Sequence, residues 1–183
     1  MVYVLVENGF EETELIVPVD ILRRGGVEVK LVGVSTSTPE STRGVAILCD
    51  TVFDACDFAD MKMLIIPGGQ PGVNNIIANN AVMDFIGGIG QDVLVAAICA
   101  APLILDCAGL LAGGRKVTCY PGCEESLRDG VYAPANLVQS NNIITSKGPG
   151  TAFKFGVHLL AVLKGSEVAF KVADDMHISK DER

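Results

Sequence analysis

The stretch from Val93 to Pro102, Val-Leu-Val-Ala-Ala-Ile-Cys-Ala-Ala-Pro, constrains this chain more than any other. Six apolar residues in a row, Val93 to Ile98, with Asp92 before them and small residues after, predict a strand buried on both faces. Ala100 to Leu111 then reads as a helix, with Pro102 in its first turn, where a missing N–H costs nothing. Cys99 falls at the corner between them. Ala97 and Ala101 flank it two residues away on each side, and a sharp nucleophile elbow needs small neighbours at those positions. A cysteine at a helix N-terminus is expected to favour thiolate, with a pKa somewhere in the ~3.5–7.5 range of activated thiols. The alternative is a buried cysteine that packs as a small hydrophobe.

Strands buried on both faces belong to parallel sheets covered by helices, and the rest of the chain follows that rhythm. Apolar runs at 1–6, 27–34, 64–67, 93–98 and 142–146 alternate with helical patterns. Shorter pieces near 45–49, 116–119 and 136–140 suit edge or hairpin strands. The expected fold class is α/β with a mostly parallel central sheet, and 183 residues make one domain, 1–183, with room for a sizeable core. The formal net charge of −8 argues against nucleic acid and against an anionic membrane surface as partners. No apolar run reaches the roughly 18 residues of a spanning helix. The first residues read as a strand and not as a signal peptide, so a cytoplasmic location is expected.

Six cysteines are present: Cys49, Cys56, Cys99, Cys107, Cys119 and Cys123. They form no Cys-x-x-Cys pair, and His158 and His177 lie far from Cys119 and Cys123 in sequence, so neither metal binding nor a disulfide framework is expected.

The first helix carries the second chemical signal. Asn8 is placed to cap it, with Glu11 three residues on to close a capping box. Phe10, Glu14, Val17 and Ile21 fall at helical spacing along an apolar stripe, so Glu14 occupies a place where the pattern wants a hydrophobe. Burial there would raise its pKa and keep it protonated; the alternative is a half-exposed acid at the stripe's margin. Pro18 removes the N–H that would bond the Glu14 carbonyl, which predicts a kink. Leu15, Val19 and Leu22 make the other side apolar as well, which predicts a subunit interface.

Two glycine-rich turns follow strands. Leu64-Ile65-Ile66-Pro67-Gly68-Gly69-Gln70-Pro71-Gly72 leads to a helix from about Val73, and its N–H groups suit an oxyanion site or simply a tight turn. A phosphate loop would need a GxxxxGK[ST] pattern that is absent. Lys147-Gly148-Pro149-Gly150-Thr151 opens a helix from about Thr151 to Leu163, closed by Gly165. His158, in that helix, has no acidic or nucleophilic neighbour at helical spacing and reads as packed or solvent-facing. The charged tail from Asp174 to Arg183 is expected to fray.

Four pieces in this order resemble the ThiJ/PfpI superfamily: Glu11-Glu12-Thr13-Glu14 with Pro18-Val19-Asp20, Ile66-Pro67-Gly68-Gly69, Ala96 to Pro102, and Thr145 to Thr151. The nearest branch is that of the Parkinson-disease protein deglycase and its bacterial relatives, and the likeness covers nearly the whole chain. It implies a flavodoxin-like three-layer sandwich and a homodimer built partly on the first helix. It implies that Cys99 is the reactive cysteine and Glu14 the protonated acid beside it. Gly69, with Gly68 before it, and Ala100 would offer backbone N–H groups to an oxyanion, and Arg43 would line the pocket near the dimer contact. Glu167 to Ile178 resembles the branch's extra C-terminal helix. Many relatives place a histidine where this chain has Tyr120, so the resemblance implies no ordinary Cys-His dyad.

The implied activity is a cofactor-independent, glutathione-independent glyoxalase or deglycase, with no metal. Its substrates would be methylglyoxal, glyoxal or their early thiol and amine adducts. The alternative is a redox-responsive stress protein or chaperone that senses oxidation at the same cysteine.

Overall fold

The structure is a computed structural model that describes residues 1–183. Its centre is a seven-stranded sheet in the order β3-β2-β1-β4-β5-β9-β8. The strands are β1 (Val2–Val6), β2 (Val29–Gly33), β3 (Thr51–Val52), β4 (Met63–Ile66), β5 (Leu94–Ile98), β8 (Leu137–Ser140) and β9 (Ile143–Ser146). Every pairing is parallel except the β8–β9 hairpin at one edge. Two further short strands, β6 (Lys116–Val117) and β7 (Val131–Tyr132), pair with each other outside this sheet. All residues of β1 and β4 are buried, as strands covered on both faces must be.

The helices are α1 (Glu12–Arg24), α2 (Gln70–Ala78), α3 (Asn80–Gly87), α4 (Pro102–Cys107), α5 (Ala152–Lys164) and α6 (Ser166–Asp175). They divide into two groups by contact: α1, α5 and α6 pack together, and so do α2, α3 and α4. The result is helices, sheet, helices: a flavodoxin-like three-layer arrangement. A single apolar cluster of 44 buried residues runs through the layers.

Several expectations are corrected by packing. Glu11, not Asn8, caps α1: its carboxylate accepts from Glu14 N–H at 2.8 Å, while Asn8 Oδ1 accepts from Glu40 N–H at 3.0 Å. The segment at 45–49 forms no strand, only an antiparallel bridge between Glu40 and Ala46. The α4 helix stops at Cys107 instead of Leu111, because the chain turns at Gly109 with φ +79°. Cys107, the last residue of α4, is exposed. At the other end of the chain, Arg183 donates to the Ile178 carbonyl at 2.8 Å and pairs with Asp174, so the tail is pinned back on α6.

The two-sided apolarity of α1 is satisfied within the chain. Leu15, Val19 and Leu22 are buried, and so are Pro18 and Ile21 on the side that meets α5. The α1–α5 approach is close: a Cβ on Gly156 would lie 2.7 Å from Ile21 Cδ1 and 3.0 Å from Pro18 Cα. These residues therefore provide no argument for a partner subunit. No helix is long and apolar enough to cross a membrane. Overpacking this contact with Gly156→Val is expected to lower the unfolding free energy by about 1–3 kcal/mol. A urea titration measures it, and an unchanged midpoint would mean the two helices can separate at no cost.

Candidate active site

Three strand ends and one helix converge at the carboxyl edge of the sheet. Cys99 follows β5, Gly68 and Gly69 follow β4, and Glu14 stands in the first turn of α1, after β1. Cys99 has φ +66°, a left-handed conformation that costs a non-glycine residue about 1–3 kcal/mol. The strain is held by both of its backbone groups. Its N–H donates to Ser146 O at 2.9 Å, and its carbonyl accepts from Tyr120 N–H at 2.8 Å. The expected elbow is present, with small Ala97, Ala100 and Ala101 buried around it.

Gly68 joins the acid to the thiol. Its N–H donates to Glu14 Oε2 at 2.8 Å. A Cβ there would sit 2.6 Å from both Cys99 Cβ and Glu14 Oε2, so no side chain fits between the two groups. Gly69 has φ +94°, and a Cβ on it would lie 2.2 Å from Gly9 O. Both glycines are thus required by close approach, and the N–H groups of Gly69 and Ala100 are directed at the Cys99 sulfur.

Glu14 is fully buried, so the apolar stripe predicted its setting correctly. Its Oε1 is buried and accepts no hydrogen bond, and the Cys99 thiol is the polar group beside the carboxyl. Burial pushes the Glu14 carboxyl up to about 7, against the lowering effects of Cys99 and the Gly68 N–H.

The thiol of Cys99 is shifted upward, contrary to the elbow-based expectation of a depressed value. Burial raises it most, the adjacent Glu14 carboxylate raises it further, and the Gly69 and Ala100 N–H groups only partly oppose them. The following helix has six residues, too few for a strong dipole to compensate. Ionising either group therefore disfavours ionising the other, and the carboxyl is the group that gives up its proton first.

Above the pair lies a pocket of about 520 Å³, lined by Cys99, Ala100, Gly69, Gln70, Pro71, Glu11, Thr42, Arg43, Tyr120 and Pro149. Arg43 is exposed on the rim and donates to the Thr42 carbonyl at 3.3 Å. Tyr120 rests over the second glycine turn, where a Cβ on Gly148 would lie 3.2 Å from its ring. Thr42, Gln70 and Pro149 carry no motif that marks them as pocket residues. Their place follows from the Thr42 N–H bond to Phe10 O and from the two turns. His158 lies elsewhere, its Nε2 2.7 Å from Gln139 Oε1. No three His, Cys, Asp or Glu side chains cluster as a metal site.

A strained cysteine elbow, a buried acid and convergent N–H groups on a flavodoxin-like sheet define a cysteine-elbow protein of the α/β class. The chain belongs to the DJ-1/PfpI family, whose model matches residues 1–162. It is 34% identical over 175 residues to the Parkinson disease protein 7 homolog of Danio rerio, covering 92% of each protein. A Caenorhabditis elegans protein named glutathione-independent glyoxalase DJR-1.2 is 34% identical over 160 residues, covering 86% of this chain and 84% of that one. Among solved structures, Drosophila melanogaster DJ-1beta superposes with a TM-score of 0.92 at 32% identity over 97% of both chains. An oxidized Toxoplasma gondii DJ-1 superposes with a TM-score of 0.87 at 33% identity over 96% of both.

The raised carboxyl has a thermodynamic signature. The folded protein holds the Glu14 proton up to about pH 7, whereas the unfolded chain releases it near 4.5. Between those values the folded state binds more protons, so stability falls as pH rises from 4.5 to 7 and levels off above. The contribution is on the order of 3 kcal/mol. Glu14→Gln is expected to remove this part of the slope when urea unfolding is measured across that range. An identical pH dependence in the variant would place the Glu14 carboxyl in contact with water.

Proposed function

We propose that the protein is a cofactor-independent glyoxalase acting on methylglyoxal, glyoxal or their early thiol and amine adducts. The observation that carries this reading is the Glu14–Cys99 pair, a buried acid set against a nucleophile at the Gly68 turn, with the Gly69 and Ala100 N–H groups beside the sulfur. The glyoxalase-named relative supports the same reaction class.

In this reading the Cys99 sulfur adds to the aldehyde carbon as its proton passes to the Glu14 carboxylate. The aldehyde oxygen gains the negative charge and is held by the N–H groups of Gly69 and Ala100, then is protonated to a hemithioacetal. Glu14, again a carboxylate after giving its proton to that oxygen, takes the proton from the carbon as the second carbonyl oxygen is protonated to an enediol; it then returns the proton to the second carbon while the first hydroxyl loses its own and becomes the thioester carbonyl. The result is a thioester of a 2-hydroxy acid on Cys99. Water hydrolyses it, releasing the acid and restoring the thiol. Arg43 at the rim attracts the polar end of the substrate. The pocket is larger than a three-carbon dicarbonyl requires, which leaves room for the stem of an adduct.

A second reading is favoured by one feature: the same N–H groups and the Glu14 carboxyl are placed to hold an oxidised sulfur. Sensing of oxidation at Cys99 would use the site without turnover. A homodimer remains part of the proposal on family resemblance alone.

Lactate formation from methylglyoxal tests the first reading. Cys99→Ser and Glu14→Gln are each expected to reduce kcat/KM by at least 10³-fold, in the range of lost nucleophiles and general bases. His158→Ala is expected to leave it unchanged. Turnover should rise with pH through about 7, as Glu14 becomes able to accept the thiol proton. Lactate formation by Cys99→Ser at the native rate would refute the assignment. No turnover by the native protein, together with selective oxidation of Cys99 by peroxide, would favour the sensing role.

A further inference from the structure

A second pocket, about 580 Å³ in volume, opens beside the carboxyl end of β1 and takes no part in the chemistry above. It is an open hollow lined by Glu7, Asn8, Ser35, Asn75, Asn79 and Asn80 with two alanines, and of these only Glu7 is buried. No lysine, arginine or histidine lines it.

Glu7 is the unusual member. It follows the last residue of β1 and is only 4% exposed. One carboxyl oxygen, Oε1, accepts from Asn8 N–H and from the Ser35 hydroxyl, each at 2.6 Å. The other oxygen, Oε2, has no hydrogen-bond partner in the chain, and it is not among the sealed buried atoms, so it reaches the pocket. None of the protein's ion pairs involves Glu7. A nearly buried carboxyl without a cation is costly unless a ligand or water completes it.

The helix ends at the pocket do not supply the missing positive charge. The last turn of α2 presents carbonyls near Asn75 and Ala78, and the first turn of α3 presents N–H groups near Asn80 and Ala81. These partial charges are opposite in sign and adjacent, so they largely offset. The Asn79 side chain already satisfies one α3 donor, Val82 N–H, at 3.3 Å. Asn75 uses its Nδ2 on the Asn8 carbonyl at 3.3 Å, which leaves its Oδ1 as a further acceptor at the wall. Glu7 Oε2 and Asn75 Oδ1 are the free acceptors next to the pocket's one charge, which has no counter-ion, so a positive donor group fits them, flanked by the neutral amides of Asn79 and Asn80.

We propose that this pocket binds an organic cation, a primary ammonium or guanidinium group on a short aliphatic stem, with Glu7 Oε2 as its counter-charge and Asn75 Oδ1 as a second acceptor. The volume lies within the range of small-molecule sites and accommodates such a stem. The same head group occurs in free amines and in the side chains of lysine and arginine.

The test is titration of the 183-residue protein, followed by amide NMR shifts at Asn8, Ser35, Asn75 and Asn79. The probes are cadaverine, Nα-acetyl-lysine methylamide, Nα-acetyl-arginine methylamide, the uncharged Nα-acetyl-norleucine methylamide, and potassium chloride. Saturable shifts are expected with the cationic probes and not with the norleucine derivative. Tighter binding of cadaverine would identify free amines as the source, and tighter binding of the acetylated amides would identify side chains. Glu7→Gln keeps an acceptor for Ser35 and Asn8 and is expected to weaken binding at least tenfold. Should that variant not fold, Ala81→Leu fills the pocket without touching Glu7 and is expected to abolish the shifts. Equal binding of the norleucine derivative, the same shifts with potassium alone, or full binding by Glu7→Gln or Ala81→Leu would each overturn the proposal.

Discussion

The site depends on one buried contact: the Glu14 carboxyl held by the Gly68 N–H and set against the Cys99 thiol. Neither group is easily ionised beside the other, and both are removed from water. That is unfavourable for stability, and in the proposed reaction it would serve proton transfer, since a proton would move between them with little reorganisation of solvent. The surrounding fold keeps the contact in place. β5 supplies the strained elbow, β4 supplies two glycines that allow the approach, and α1 supplies the acid.

Much of this was legible in the sequence because it depends on local steric rules. A nucleophile elbow requires small residues two positions away, and Ala97 and Ala101 supply them. An acid in an apolar stripe is an anomaly visible in the spacing of Phe10, Glu14 and Ile21. The glycine pair after β4 marks a turn that bears no side chains. The parallel sheet followed from strands apolar on both faces.

What the sequence obscured came from packing between distant segments. The apolar second side of α1 has the same pattern whether it meets a subunit or its own chain, and only the burial of Leu15, Val19 and Leu22 within the chain decides. The run at 45–49 has strand character, but the sheet edge is occupied by Thr51 and Val52 pairing with β2. The thiol's upward shift required knowing how close Glu14 lies and how short α4 is. A pocket residue such as Thr42 belongs to a loop whose course is fixed by a backbone hydrogen bond to Phe10 rather than by pattern.

The central claim is that Glu14 in the folded protein keeps its proton to near neutrality because it is buried beside Cys99. Difference infrared spectroscopy of the carboxyl carbonyl band, native protein against Glu14→Gln across a pH titration, measures this directly. The account predicts a protonated-carboxyl band, absent from the variant, that disappears with a midpoint at about pH 7. A band that disappears near 4.5, the ordinary value for a glutamate, would contradict it.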